Sequence, residues 1–309
     1  MSRSRTLAAT LAAAAVLLAA CGYDATPVPK AQPAEPKAAS SSEPVQCDNP
    51  TQSYAPSNDR AKAVAELKNK GRLVVGVSGD TFQMGFSDPV DGELKGFDIE
   101  FAKAIAKALG VTLDLRVISA ADRTELLKNG TIDMVARNMT VNCERWEQVA
   151  FSSVYYNATQ KVLVRRDQAA SYQGPESLSG KKVCAPTATT SLARITEVAP
   201  GAEPVGASNH TGCLILFQKG DVDAITGDDT VLAGLAAQDP YAVVPPQQTK
   251  LSDEPYGLAF NEDAVDLVRF ANSVLQQMRT DGEWQDAYAT WLKPYLKVDT
   301  APPAPAYGR

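Results

Sequence analysis

The chain has 309 residues, 44% of them apolar and 21% charged, with 30 Lys and Arg against 36 Asp and Glu for a net charge of −6. That is globular composition with enough chain for about two domains, and a mildly acidic protein without basic runs is not built for nucleic acid. The single histidine, His210, excludes multi-histidine metal sites and leaves little for Ser-His-Asp catalysis.

Residues 1–20 read as an export signal. Arg3 and Arg5 precede the apolar run Leu7–Ala20, which is too short to remain as a membrane-spanning helix. The run ends Leu18-Ala19-Ala20-Cys21-Gly22, the form of a bacterial lipobox, so Cys21 is the expected lipidation site. The mature protein is expected at the cell membrane, lipid-anchored on the extracytoplasmic face. Residues 21–59 follow as a lipidated Cys and a flexible tether, because Asp24–Ser42 is rich in Pro, Ala, Ser and Lys and has little to bury.

Folded sequence is expected from Arg60. Residues 61–70 predict a helix stopped by Gly71, and Leu73–Val77 a buried strand. In residues 97–109, Phe97, Phe101, Ile105 and Leu109 recur every fourth residue ahead of Gly110, which predicts an amphipathic helix. An alternating strand over 112–117, a helix over 124–128 and a buried strand over 132–136 continue the pattern. A second run has strands at 161–164, 182–185 and 222–226, with helices from Ser191 and over 213–219. The chain closes with a strand through Glu254–Phe260, a long helix over 263–280 and a helical segment over 284–292, before a Pro-rich tail over 296–309 expected to be disordered. Strand–helix alternation at this pace indicates parallel α/β sheets, here as two lobes.

Three polar segments follow buried strands, where ligands sit in open α/β sheets. The stretch from Ile132 to Phe151 carries Thr140 and Arg145, and an Arg there offers a planar fork for a carboxylate. Asp223, Asp228 and Asp229 lie around the strand 222–226, where an Asp either receives an ammonium or caps the next helix. Thr187, Thr189, Thr190 and Ser191 precede a helix and suit an anion or simple capping. Four cysteines remain after Cys21: Cys47, Cys143, Cys184 and Cys213. An even number outside the cytoplasm indicates disulfides, with three connectivities possible. No Cys/His cluster suggests a metal, and no motif calls for a cofactor.

Six ordered motifs carry a resemblance: Gly96–Gly110 (GFDIEFAKAIAKALG), Asn129–Met134 (NGTIDM), Met139–Ser152 (MTVNCER…FS), Val222–Asp229 (VDAITGDD), Glu254–Ala259 (EPYGLA) and Asp281–Leu292 (DGEW…WL). Over residues 60–295 the chain resembles extracytoplasmic solute-binding proteins of family 3, and within them actinobacterial glutamate/glutamine-binding lipoproteins. The resemblance implies a two-lobed periplasmic-binding-protein (Venus-flytrap) fold, type II, with lobe 1 at 60–154 plus 256–295 and lobe 2 at 159–251. It implies no enzyme but a monomeric receptor for glutamate, glutamine, aspartate or asparagine, serving an ABC permease or a membrane signalling protein. Arg145, Thr140 and Thr190 would hold the ligand α-carboxylate, and Asp228 the α-ammonium. A sealed zwitterion needs both charges paired, and Arg and Asp on opposite lobes make the ligand the cross-link that favours closure.

The chain departs from the family in two places. Asn138 stands where a glycine is frequent, and Ala120 stands where glutamine-type members stack an aromatic ring on the ligand. Asn138, Arg137 and Arg123 are therefore the expected contacts to an acidic or amide side chain. Similar members carry a disulfide matching Cys184–Cys213, and a Cys47–Cys143 pair would pin the start of the folded chain beside the Arg145 loop. Periplasmic cyclohexadienyl-acid dehydratases share the fold and are the enzyme alternative; they need a general acid in the cleft, and Glu144, the carboxylate nearest the binding loop, is adequately explained as a helix-start residue.

Overall fold

The computed structural model describes residues 32–33, 47–69 and 71–309. The export signal, Cys21 and most of the tether lie outside the described residues. Among the described residues no helix is long and apolar enough to cross a membrane.

Two sheets organise the chain. In the first, the strand Arg72–Val77 runs parallel to Thr112–Val117 on one side and to Met134–Ala136 on the other. Ala259–Phe260 then pairs antiparallel with Met134–Ala136 and with Ala150–Phe151. The helix Phe97–Leu109 covers this sheet with the stripe its spacing predicts, since Phe97, Phe101, Ile105 and Leu109 are all fully buried. Its end is set by Gly110 at φ 63°, a left-handed cap that costs glycine least. The helices Val265–Thr280 and Glu283–Trp291, late in sequence, return to this same core through Leu267, Val268, Leu275, Trp284 and Tyr288.

In the second sheet, Lys182–Pro186 runs parallel to Glu203–Ala207 and to Ala224–Asp228, and Tyr156–Arg165 runs antiparallel to the last. Gln32–Pro33 adds an antiparallel edge to Glu203–Ala207. The helices His210–Lys219 and Asp229–Gln238 pack on this sheet through Leu214, Leu216, Phe217, Leu232 and Leu235. The result is a two-lobed α/β protein with mixed sheets. Two strands join the lobes: Tyr156–Arg165 and Ser252–Tyr256 pair antiparallel from Tyr156↔Tyr256 to Gln160↔Ser252. Tyr155, Tyr156 and Tyr256 lie in the core of the first lobe, while the same strands continue into the sheet of the second.

Several boundaries differ from the sequence reading. The first helix is Arg60–Ala65, shorter than expected, and the helix expected over 213–219 starts earlier, at His210, where Asn209 caps it. Ordered chain begins before Arg60. Cys47 is bonded to Cys143, Ser53 Oγ donates to the Phe151 carbonyl and the Trp146 indole donates to the Pro50 carbonyl. The tail over 296–309, expected to be disordered, instead packs on that arm. Tyr307 bridges Ser53, the Gly308 amide donates to the Ser53 carbonyl, and the Arg309 guanidinium lies 3.9 Å from the Trp146 ring centre. Proline spacing hid these contacts because each is made by an isolated residue rather than by a periodic face. The second disulfide, Cys184–Cys213, ties a strand to a helix within the second lobe.

Gly96 starts the helix Phe97–Leu109 at φ 130°, with its α-carbon against the Met84 backbone, and a Cβ there would lie 2.4 Å from the Met84 carbonyl oxygen. Both the dihedral and the contact demand glycine. Gly96→Ala is expected to destabilise the protein by about 2–4 kcal/mol, read as a lowered urea midpoint with an unchanged slope.

Candidate functional site

The site lies where the two lobes meet beside the crossing strands. The segment 138–141 leaves the strand Met134–Ala136 and is held to the crossing strand, since the Val141 amide donates to the Pro255 carbonyl and Thr140 bridges Tyr256. Asn138 has φ 34°, which explains its place where relatives often carry glycine: Asn tolerates the left-handed region better than most residues. Its amide donates to the buried Asp98, whose carboxyl is pushed up to about 6 by burial.

Arg145 sits on the short helix Cys143–Trp146. Asn142 caps the helix by accepting from the Arg145 amide, and the Arg145 Nη1 donates to the Thr140 carbonyl at 2.6 Å. The guanidinium is thereby aimed along the binding segment. Loss of water depresses its pKa, and Glu254 and Asp228 oppose that shift, so both carboxylates act on this cation.

Asp228 ends the strand Ala224–Asp228 at the start of the helix Asp229–Gln238 but makes no capping bond. That local work falls to Asp229, which accepts from the Thr230 amide and the Thr159 hydroxyl. Asp223 is also structural, since its carboxylate accepts from the Lys182 amide. The Tyr256 hydroxyl donates to Asp228 Oδ2 at 2.6 Å, whereas Oδ1 is buried and has no partner. Burial first, and the charge of Glu254 second, push the Asp228 carboxyl up to about 8.

The two threonines are placed differently from expectation. Thr140 and Thr190 do meet across the lobes, with hydroxyls 3.4 Å apart. Each nevertheless donates to Glu254 Oε2, at 2.6 Å and 2.8 Å. Their hydroxyl protons are therefore committed to the protein's own carboxylate. Glu254 is the site residue that sequence reasoning missed. The only signal was an acidic residue inside the otherwise buried strand motif EPYGLA.

Arg123 opens the helix Arg123–Lys128 and is buried. It donates to the carbonyls of Ala120 at 2.8 Å, Arg137 at 3.4 Å and, across the lobes, Ala188 at 3.4 Å. Burial, and then Arg145 and Arg137, lower its pKa, but a guanidinium keeps its charge in proteins. Arg137 is buried too and donates to the Ile118 carbonyl. Among the described residues neither has an ion-pair partner. Two further buried atoms lack partners, Asn138 Oδ1 and His210 Nε2. Burial pushes His210 down to about 4, so it is a neutral imidazole at pH 7. Glu144, by contrast, is exposed on the short helix that carries Arg145. Across the lobes Gln83 Nε2 also donates to the Thr230 carbonyl, and Thr211 Oγ1 to the Asp80 carbonyl. The site as a whole sets buried cations on one lobe opposite a buried carboxyl on the other, an arrangement suited to an amino-acid zwitterion.

The chain is similar to known proteins. The chain is 32% identical over 243 residues to the ABC transporter glutamine-binding protein GlnH of Bacillus subtilis, covering 77% of this chain and 88% of that protein. It is 28% identical over 233 residues to the glutamate-binding protein GluB of Corynebacterium efficiens, covering 72% and 79%. Among solved structures, a variant of the T. maritima protein ArgBP superposes with a TM-score of 0.70 at 31% identity, covering 74% of this chain and 98% of that one. Residues 73–294 match the family model of bacterial extracellular solute-binding proteins, family 3, and the chain belongs to that family.

Proposed function

We propose that the protein is a lipoprotein receptor, anchored through Cys21, that binds an acidic amino acid or its amide and presents it to an ABC permease or a membrane signalling partner. The observation that carries the ligand class is the pairing of Asp228, with an unpartnered oxygen, with Arg145 and a second buried guanidinium, Arg123, that has only carbonyl partners. A zwitterion satisfies Asp228 and Arg145, and a side-chain carboxylate then gives Arg123 the anion that its burial calls for. Glutamate and aspartate are the ligands this favours over glutamine and asparagine. The Bacillus and Corynebacterium relatives, named for glutamine and glutamate binding, support the same ligand set.

Calorimetry against the twenty amino acids tests the reading: glutamate or aspartate should bind, and silence from both and from their amides would refute it. The acid preference has its own test. Arg123→Gln removes the charge from the side-chain end, so glutamate affinity should fall by at least about 30-fold, or about 2 kcal/mol. Glutamine affinity should change by a few-fold at most. Equal losses for acid and amide would assign Arg123 to packing. Turnover of prephenate or arogenate would favour the dehydratase alternative.

A further inference from the structure

Two carboxyl groups, Asp228 and Glu254, lie buried at the junction of the lobes, and among the described residues neither makes an ion pair. Glu254 accepts from three hydroxyls, those of Thr140, Thr190 and Ser252. Asp228 accepts from the Tyr256 hydroxyl alone. Tyr256 is two residues from Glu254 on the same crossing strand, and Thr140, which donates to Glu254, bridges Tyr256. The two carboxyls are thus fixed by one strand, between a threonine of each lobe. A buried carboxyl beside a second carboxylate favours holding a proton, and burial and the Glu254 charge act in that direction on Asp228.

The orientation of the hydroxyls sharpens the point. A threonine hydroxyl has one proton and two acceptor lone pairs. With both protons spent on Glu254, Thr140 and Thr190 offer the cleft acceptors, which suit an ammonium and not a carboxylate. The two threonine hydroxyls beside Glu254 are therefore arranged for a cation.

Resting on the amino-acid reading above, we propose that Glu254 is a second carboxylate of the ammonium subsite, whose charge beside the unpartnered Asp228 oxygen keeps a proton on Asp228 until the incoming ammonium displaces it. The proton leaves to the buffer, and the ligand ammonium replaces it as the countercharge. Other charged groups act on the pair as well: Arg145 on both carboxylates, and Asp229 and Tyr256 on Asp228. Arg123 also feels Asp228. Arg145 and Arg123 do not titrate in the working range, and Tyr256 is held neutral because burial raises its pKa well above the ordinary value. Asp229 is raised by burial but kept lower by three hydrogen bonds. His210, pushed down to about 4 by burial, stays neutral in the working range.

The test is titration calorimetry of L-glutamate into the intact protein, in phosphate, MOPS and Tris at one pH. The slope of observed heat against buffer ionisation enthalpy counts protons released. With the Asp228 carboxyl near 8, about 0.9 proton should be released at pH 7 and about 0.5 at pH 8. Glu254→Gln removes the neighbouring charge that helps hold the proton, so release at pH 7 should fall below about 0.3. Binding with zero slope in the parent protein would overturn the proposal, as would a slope unchanged by Glu254→Gln. A failure of every amino acid to bind would instead refute the receptor reading, so the two failures are distinguishable. If Glu254→Gln does not fold, the two-point slope of the parent protein still decides.

Discussion

Arg145→Ala should weaken L-glutamate binding by about a thousandfold while leaving the fold intact. The guanidinium is the cation that the binding segment aims into the cleft, through its 2.6 Å bond to the Thr140 carbonyl. Without it the ligand α-carboxylate is buried with no countercharge, which costs about 3–5 kcal/mol and so about 10²–10⁴-fold in affinity. The loss is compounded because Glu254 and Asp228 both lose the cation that acts on them. The fold should survive because Asn142 caps this short helix through the backbone amide of residue 145, which alanine retains. The disulfide at Cys143, the first residue of the helix, also holds that end in place. Arg145→Lys keeps the charge but loses the planar fork, so it should fall between the two, at about 10–100-fold. Calorimetry gives the affinities and a thermal melt checks the fold. An Arg145→Ala variant within threefold of the parent protein would place the carboxylate subsite elsewhere.

How much of this was legible depended on the distance over which each feature is encoded. The helix Phe97–Leu109 and its Gly110 stop are local, since the four-residue spacing and the left-handed cap are both readable within fifteen positions. The placement of Arg145 and Asp228 at the junction of the lobes was legible for a topological reason: Asp228 ends a buried strand and Arg145 lies beyond one, where open sheets place their ligands. The division of labour between Asp228 and Asp229 was left open, because capping and ligand binding use the same residue type at the same junction. Only the absence of a capping bond from Asp228 separates them. Glu254 was illegible because its partners Thr140 and Thr190 lie 114 and 64 residues away, and the crossing strands alone bring the three together. The same holds for the tail, where Tyr307 and Arg309 find Ser53 and Trp146 across most of the chain. A composition that signals disorder says nothing about single long-range contacts of that kind.

Asp228→Asn separates ligand binding from stability at the opposite end of the site. Asparagine has nearly the shape of the protonated carboxyl, and its oxygen can still accept from Tyr256 as Asp228 Oδ2 does. It cannot carry the charge that an ammonium requires, so L-glutamate affinity should fall by at least about 100-fold, near the lower edge of the cost of an unpaired buried charge. Stability should respond in the other direction as pH rises. The folded-state pKa of Asp228 is raised to about 8 from an ordinary 3.8, so between those values the unliganded folded protein holds a proton that the unfolded chain releases. The stability this gives is complete below about pH 4 and is lost as pH rises through 8, at up to about 1.4 kcal/mol per pH unit. Asp98, raised to about 6, and His210, lowered to about 4 from 6.5, complete their own transitions mostly below pH 6.5. The difference in urea midpoint between the parent protein and Asp228→Asn from pH 6.5 to 8.5 therefore reads Asp228. Over that window the unliganded parent protein should lose stability while Asp228→Asn stays level, making the variant the more stable protein at pH 8 and the poorer receptor at every pH. Parallel curves would mean that Asp228 is ionised before the ligand arrives.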